Sequence, residues 1–300
     1  MAEIAAGPIR DAAPAYRERT QVGMAFERFR EHRLAMVALG VVIAVGLLSA
    51  FVPAVSPYDP NKTNLFQIFE PPSVTHPMGT DSLGRDLATR ILFGGRVSLA
   101  VGVLAALLAI TVGAVVGVLA GFYGGLVDGL AMRFVDILLS IPRLFFLVLL
   151  AVIFGGSVLT IILVLGFLSW MRTARIVRAT VMSLKGREFI EAARSIGAGD
   201  LRIMVRHLLP NTVAPIIVAA TLGVAGAIIA ESTLSFLGLG IQKPTSSWGN
   251  LLTDATTDMA MAPWTAIFPG LAIFLAVVSI NFVGDGLRDA LDPRHVLRKR

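Results

Sequence analysis

Six apolar runs alternate with polar segments along the chain, near residues 34–52, 97–122, 134–154, 158–178, 208–230 and 264–283. Each is close to the roughly 20 residues a helix needs to cross a hydrocarbon layer. A helix is the fitting form there, because lipid offers backbone N–H and C=O groups no partners. The pattern predicts an all-α integral membrane protein built as a six-helix transmembrane bundle. It divides the chain into an N-terminal tail (1–33), a first transmembrane helix (34–52), a polar segment (53–96), a core with five further helices (97–283) and a C-terminal tail (284–300). The first run is longer than a signal-peptide core, so it is read as an uncleaved helix, although "SAFVPAVS" offers small residues of the kind found at cleavage sites.

Finer periodicities lie inside and between the runs. After Asp81, the residues Leu83, Leu87 and Ile91 repeat every four positions, which predicts an amphipathic surface helix with Asp86 and Arg90 placed to pair on another face. In the second run Gly113, Gly117 and Gly121 leave one helix face bare for close approach by a neighbour. Residues 187–196 predict a helix of about two and a half turns, about 15 Å long. Gly197 and Gly199 interrupt it, and Asp200 is placed to cap the next helix. Phe189, Ala193 and Ile196 share a stripe on this helix, with Glu188, Glu191 and Arg194 off it. Such a stripe needs cover. The pattern leaves open whether lipid or a soluble partner supplies it.

Composition agrees with a membrane protein: 55% of the 300 residues are hydrophobic and 15% charged. The absence of cysteine excludes disulfides and thiolate metal sites. The net charge of +6 is read as topology and not as a nucleic-acid footprint, because lysines and arginines accumulate on cytoplasmic segments. One side receives Arg10, Arg17, Arg19, Arg28, Arg30 and Arg33, then Arg133, then eight basic residues from Arg172 to Arg206, and finally Arg288, Arg294, Arg298, Lys299 and Arg300. The other side receives Lys62, Arg85, Arg90, Arg96 and Lys243. The bias predicts that both termini and the 184–207 loop are cytoplasmic.

Glu191-Ala192-Ala193, Gly197 and Leu209-Pro210 resemble the E-A-A-x-x-x-G loop, followed by I-x-L-P, of permease subunits in bacterial ABC importers. His207 stands at the isoleucine position, and "RHLLPN" is similar to the version in the peptide and nickel branch. "HPMGTDSLGRDLATRILFGGR" (76–96), "ESTLSFLGLGIQKPTSSWGNLL" (231–252) and "GDGLRDALDPR" (284–294) are similar to signature segments of the C-type permease of dipeptide, oligopeptide and nickel importers. The resemblance runs in order over residues 26–295; the first 25 residues carry none of it. It implies a type I importer permease in the bacterial cytoplasmic (inner) membrane, with a cytoplasmic coupling helix. Phe189, Ile190, Glu191, Ala192, Ala193, Ile196 and Gly197 would then form the surface that enters a groove on an ATPase. The implied partners are a second homologous permease, two ABC ATPase subunits that bind ATP and magnesium, an extracytoplasmic substrate-binding protein and membrane lipid, with no cofactor in this chain. The implied substrates are di- or oligopeptides, with nickel or another small solute as the alternative.

The chain's own chemistry is sparse. None of Lys62, Lys185, Lys243 and Lys299 follows the glycine of a P-loop, and no H-E-x-x-H or G-x-S-x-G occurs. No catalytic residue is expected. His76, Asp81 and Asp86 do not have the spacing of a metal site, and capping and pairing account for the carboxylates. Arg143 lies inside the third run, where a charge is costly and turns to a partner or a watery path. Asp136 is about 10 Å away along the axis, too far for a direct pair. Arg143 is therefore expected on the translocation path or against the partner permease, with Pro142 bending the span. Glu231, expected at the end of the fifth run, is read either as lining the outer gate or as a satisfied helix-end carboxylate. Asp285, Arg288 and Asp289 are read as a solvated, mutually paired helix end. An ion-coupled secondary transporter would need carboxylates or broken helices at the midplane. A membrane scaffold would explain the glycines and leave the 187–196 helix without a task.

Overall fold

A computed structural model describes residues 21–291 of the chain. The basic positions Arg10, Arg17, Arg19, Arg294, Arg298, Lys299 and Arg300, and so most of both expected tails, lie outside the described residues.

The described chain is helical except for loops and one isolated bridge between Thr80 and Asp86. It opens with α1 (Gln21–Glu31), α2 (Arg33–Ala50) and the single turn α3 (Val52–Val55). His32 separates the first two, and its Nδ1 accepts from the Ala35 N–H at 3.2 Å, capping α2. The end of the expected tail is thus a helix, and its Phe29 is buried with Ala35 and Ala290.

α4 (Leu87–Tyr123) has 37 residues and is about 55 Å long, well beyond the about 30 Å of hydrocarbon. It starts ten residues before the expected second span, because Asp86 caps it: the carboxylate accepts from the Thr89 N–H at 2.7 Å and from its hydroxyl at 2.6 Å. No separate surface helix forms. Leu87 and Ile91 are buried in the first turns of α4, packed with Trp248 and Leu251. Asp86 and Arg90 do not pair either. Asp86 bonds His76 at 2.8 Å, while Arg90 donates to Asp81 at 2.6 Å.

The third apolar run is two helices, α5 (Gly125–Ser140) and α6 (Arg143–Phe154), meeting at 86°. Pro142 lacks an N–H and disfavours helical backbone before it, and Ile141 is extended (φ −80°, ψ 126°). The fourth run is also jointed, with α7 (Val158–Phe167) and α8 (Trp170–Lys185) forming one 28-residue span. α9 (Glu188–Ser195) and α10 (Asp200–Ile203) follow, then a π-helical turn, Met204–Leu208, leading into α11 (Leu209–Phe236). Asp200 does not cap α10, whose N-cap is Gly199. α12 (Trp248–Asp258) carries a full capping box from Ser247 and Asn250, and α13 (Trp264–Leu291) runs eight residues past its expected end. Asp285, Arg288 and Asp289 are therefore in its last turns, where Asp289 reaches His32 at 3.9 Å.

Among the described residues, five helical segments are long and apolar enough to cross a membrane, and six if the bent α5–α6 pair is one span. α4 is central, and its glycines set the distance to α8. A Cβ on Gly117 would sit 2.6 Å from the Ala174 carbonyl oxygen, one on Gly113 2.6 Å from Thr173 Cβ, and one on Gly121 2.9 Å from the Arg178 carbonyl oxygen. Backbone contact of this kind needs residues without side chains.

Candidate functional site

Two places stand out, an exposed helix at one end of the bundle and a cavity where helices break.

α9 has Glu188 and Glu191 in its first turn and Arg194 in its last, the order that suits the helix dipole. Ile190 is fully buried with Phe122, Val181, Ile203 and Leu208, so it anchors α9 to the ends of α4 and α8. Lys185 and Arg194 lie over the Phe122 ring at 5.8 and 5.7 Å and add cation–π attraction. Ala193 is also buried, but Phe189 is 42% and Ile196 86% exposed. The stripe expected from Phe189, Ala193 and Ile196 is thus divided: Ala193 turns inward with Ile190, three positions earlier, and the other two face out. Glu191 and Ala192 are exposed beside them. Gly197 ends the helix at φ +82°, and the Ala198 N–H reaches back to the Ala193 carbonyl at 3.0 Å. The result is an anchored helix with an outward face that combines apolar and acidic side chains.

On α8 the arginines near this end have dedicated partners. Arg178 holds Asp128 through two hydrogen bonds, and Arg175 pairs with Asp136, both aspartates lying on α5. Deeper in the bundle the pairing stops. Arg143 is the first residue of α6, at the break and not within a continuous span, and its Nη2 donates to the Ser169 hydroxyl at 3.1 Å. Ser169 lies at the α7–α8 joint and donates to the Leu165 carbonyl at 2.7 Å. Beside them is a cavity of about 440 Å³ between α4, α5, α6, α8 and α11. Its wall includes Arg143, Arg172, Ser169 and Thr173 among apolar residues such as Ala109, Leu139, Phe146 and Ala227. Ala106 and Ala109, near the middle of α4, set its depth. Arg172, Ser169 and Thr173 are site residues that hydropathy alone did not single out, because their place depends on how two breaks meet.

Glu231 is elsewhere. It is five residues inside α11, fully buried, and absent from the cavity wall. Its carboxylate accepts from Ser98 at 3.1 Å and from Ser235 at 2.8 Å. The Ser98 hydroxyl in turn accepts the Trp248 N–H at 3.1 Å, so α4, α11 and α12 meet at one acid. Nearby, Asp81 binds Arg85 and Arg90, while Asp254 binds Lys243 at 2.7 Å.

Two families match by sequence. One, described as binding-protein-dependent transport system inner membrane component, covers residues 113–296. The other, the N-terminal TM domain of oligopeptide transport permease C, covers residues 20–72. The chain is 46% identical over 269 residues to the oligopeptide transport system permease protein OppC of Escherichia coli (strain K12), covering 89% of each. It is 42% identical over 272 residues to OppC of Bacillus subtilis (strain 168), covering 91% of this chain and 88% of that one. The glutathione transport system permease protein GsiD of Shigella flexneri serotype 5b (strain 8401) is 45% identical over 270 residues, 90% and 89% covered. Among solved structures, an inward-facing form of the MetNI methionine ABC transporter superposes with a TM-score of 0.54 at 20% identity, over 68% of this chain and 96% of that one. That likeness concerns the fold.

Proposed function

The chain belongs to the binding-protein-dependent transport system inner membrane components, and from that premise we propose that it is a permease subunit of an ATP-driven importer of di- or oligopeptides. The relatives named for oligopeptide and glutathione transport favour peptides over nickel. In this reading the chain pairs with a second homologous permease to enclose one path. Two ATPase subunits, which bind the ATP and magnesium, act from the side of α9, and an extracytoplasmic binding protein delivers substrate at the other.

The observation that carries the reading is the division of α9. Ile190 ties the helix to the ends of α4 and α8, while Phe189, Glu191, Ala192 and Ile196 remain free to enter a partner's groove. Closure of the ATPases would push α9, and through it the bundle, between inward- and outward-open states. A bias of a few kcal/mol is enough to change which side is open. The cavity at Arg143 then lies on the path.

The test is co-purification of the tagged chain from membranes that also contain the second permease and the ATPases. Glu191→Arg with Gly197→Arg is expected to release the ATPases and keep the permease pair. Retained ATPases would remove the docking role from α9. Because the chain has no cysteine, orientation is testable by single substitutions. In intact cells an impermeant thiol reagent is expected to label Thr63→Cys and to spare Ser195→Cys, which places α9 and both termini in the cytoplasm; the reverse labelling would invert the topology.

A further inference from the structure

We infer that Arg143 and Arg172 form a carboxylate-binding subsite that holds the C-terminal carboxylate of a peptide in transit, an assignment that rests on the peptide-importer reading above. The contrast along α8 points to it. Arg175 and Arg178 each have an aspartate on α5, whereas among the described residues neither Arg172 nor Arg143 is paired with a carboxylate. Both line the same cavity, and its wall contains no acidic side chain. Two cations lining one cavity repel each other, and an anion between them relieves the repulsion. Arg143 is fixed by Ser169, and its Nε, shut off from solvent, has no partner. Arg172 is exposed at the mouth and free to close on a ligand.

The rest of the cavity fits the rest of a peptide. Its volume of about 440 Å³ lies in the range of small-ligand sites, about 300–1,000 Å³. Its wall is otherwise mostly apolar and accommodates side chains without selecting among them. A guanidinium pair suits a planar carboxylate, which accepts two parallel hydrogen bonds. A lipid phosphate is the other source of an anion: Ala106 and Ala109 put the floor of the cavity halfway along α4, but Arg172 is level with Gly113, about 12 Å further toward the α9 end, so the experiment has to separate the two.

The experiment uses the complete importer with its binding protein in proteoliposomes, with trialanine and trialanine amide as probes. Affinity of the isolated binding protein for each probe is measured in parallel, so that its own preference is divided out. The remaining preference for the free carboxylate is expected to be about tenfold in the native complex. It is expected to vanish in Arg172→Gln and to persist in Arg172→Lys, with the complex assembled in both. An unchanged preference in Arg172→Gln and in Arg143→Gln would overturn the subsite while leaving the importer reading intact. Loss of co-purified phosphatidylglycerol in Arg172→Gln with the preference unchanged would also overturn it and give the cavity to lipid. Failure of the native complex to import either peptide would instead overturn the peptide reading itself.

Discussion

Arg143 donates its hydrogen bond to Ser169 across the two places where membrane helices are jointed, so one side chain sets α6 against α7 and α8. The joints are not independent. Arg143→Ala removes this tie and a charge from the cavity wall, and peptide uptake is expected to fall at least about tenfold. Its amount in the membrane should stay near the native level, because the joint faces a cavity and not the packed core. Ser169→Ala loses one hydrogen bond and leaves the charge, so a smaller loss of about fivefold is expected. Uptake in cells with membrane immunoblots measures both, and native uptake in Arg143→Ala would take Arg143 off the path.

Gly197 separates a backbone requirement from a surface requirement. Its φ of +82° is strained for any other residue, at about 1–2 kcal/mol, yet nothing lies within 4 Å of an added Cβ. Gly197→Ala should therefore import peptide at a reduced but measurable rate. Gly197→Arg adds the same strain and a long cation beside the exposed face of α9, and ATP-driven uptake is expected to be lost with the protein still in the membrane. Equal activity of the two variants would mean that the face meets no partner.

Gly117 is the opposite case. A side chain there meets the Ala174 carbonyl oxygen at 2.6 Å and Val177 Cβ at 2.8 Å, atoms that move only if α8 moves. Gly117→Val is expected to destabilise the bundle by about 1–3 kcal/mol or more, read as a lower melting temperature in detergent and less protein in the membrane. Gly129→Ala, with nothing within 4 Å, serves as the control that melts like the native chain.

The same contrast explains what was readable in advance. Hydropathy located the spans because each one meets lipid on its own, and the 188–210 motif located α9 because it is local in sequence. The joint at Ile141–Pro142 was visible as a proline, but its 86° turn depends on α5 folding along α8, where Asp128 and Asp136 find Arg178 and Arg175. Pairings between distant segments leave no periodic trace. For that reason the four-residue spacing points Asp86 to Arg90, whereas its partner is His76 in the preceding loop. The stripe of Phe189, Ala193 and Ile196 is divided for a related reason: Ile190 and Phe189 are both apolar, and only the contact with Phe122 and Val181 decides which turns in.

Glu231 is the position where two readings make opposite predictions. A gate carboxylate acts through its charge, whereas the structure gives Glu231 two serine donors, no cation and no exposed surface. A buried carboxyl group in that setting serves as an acceptor that gathers Ser98 and Ser235, and with them α4, α11 and the Trp248 end of α12. Glutamine keeps the shape and one of the two acceptor oxygens while removing the charge, and the serine left facing its NH2 can turn to accept, so Glu231→Gln should melt within about 2 kcal/mol of the native chain and import peptide normally. Alanine leaves both hydroxyls without their acceptor and opens a void, at a cost of about 2–4 kcal/mol. Glu231→Ala is therefore expected to be poorly assembled. If Glu231→Gln instead assembled normally and failed to transport, the charge itself would be needed, and Glu231 would belong to a gate.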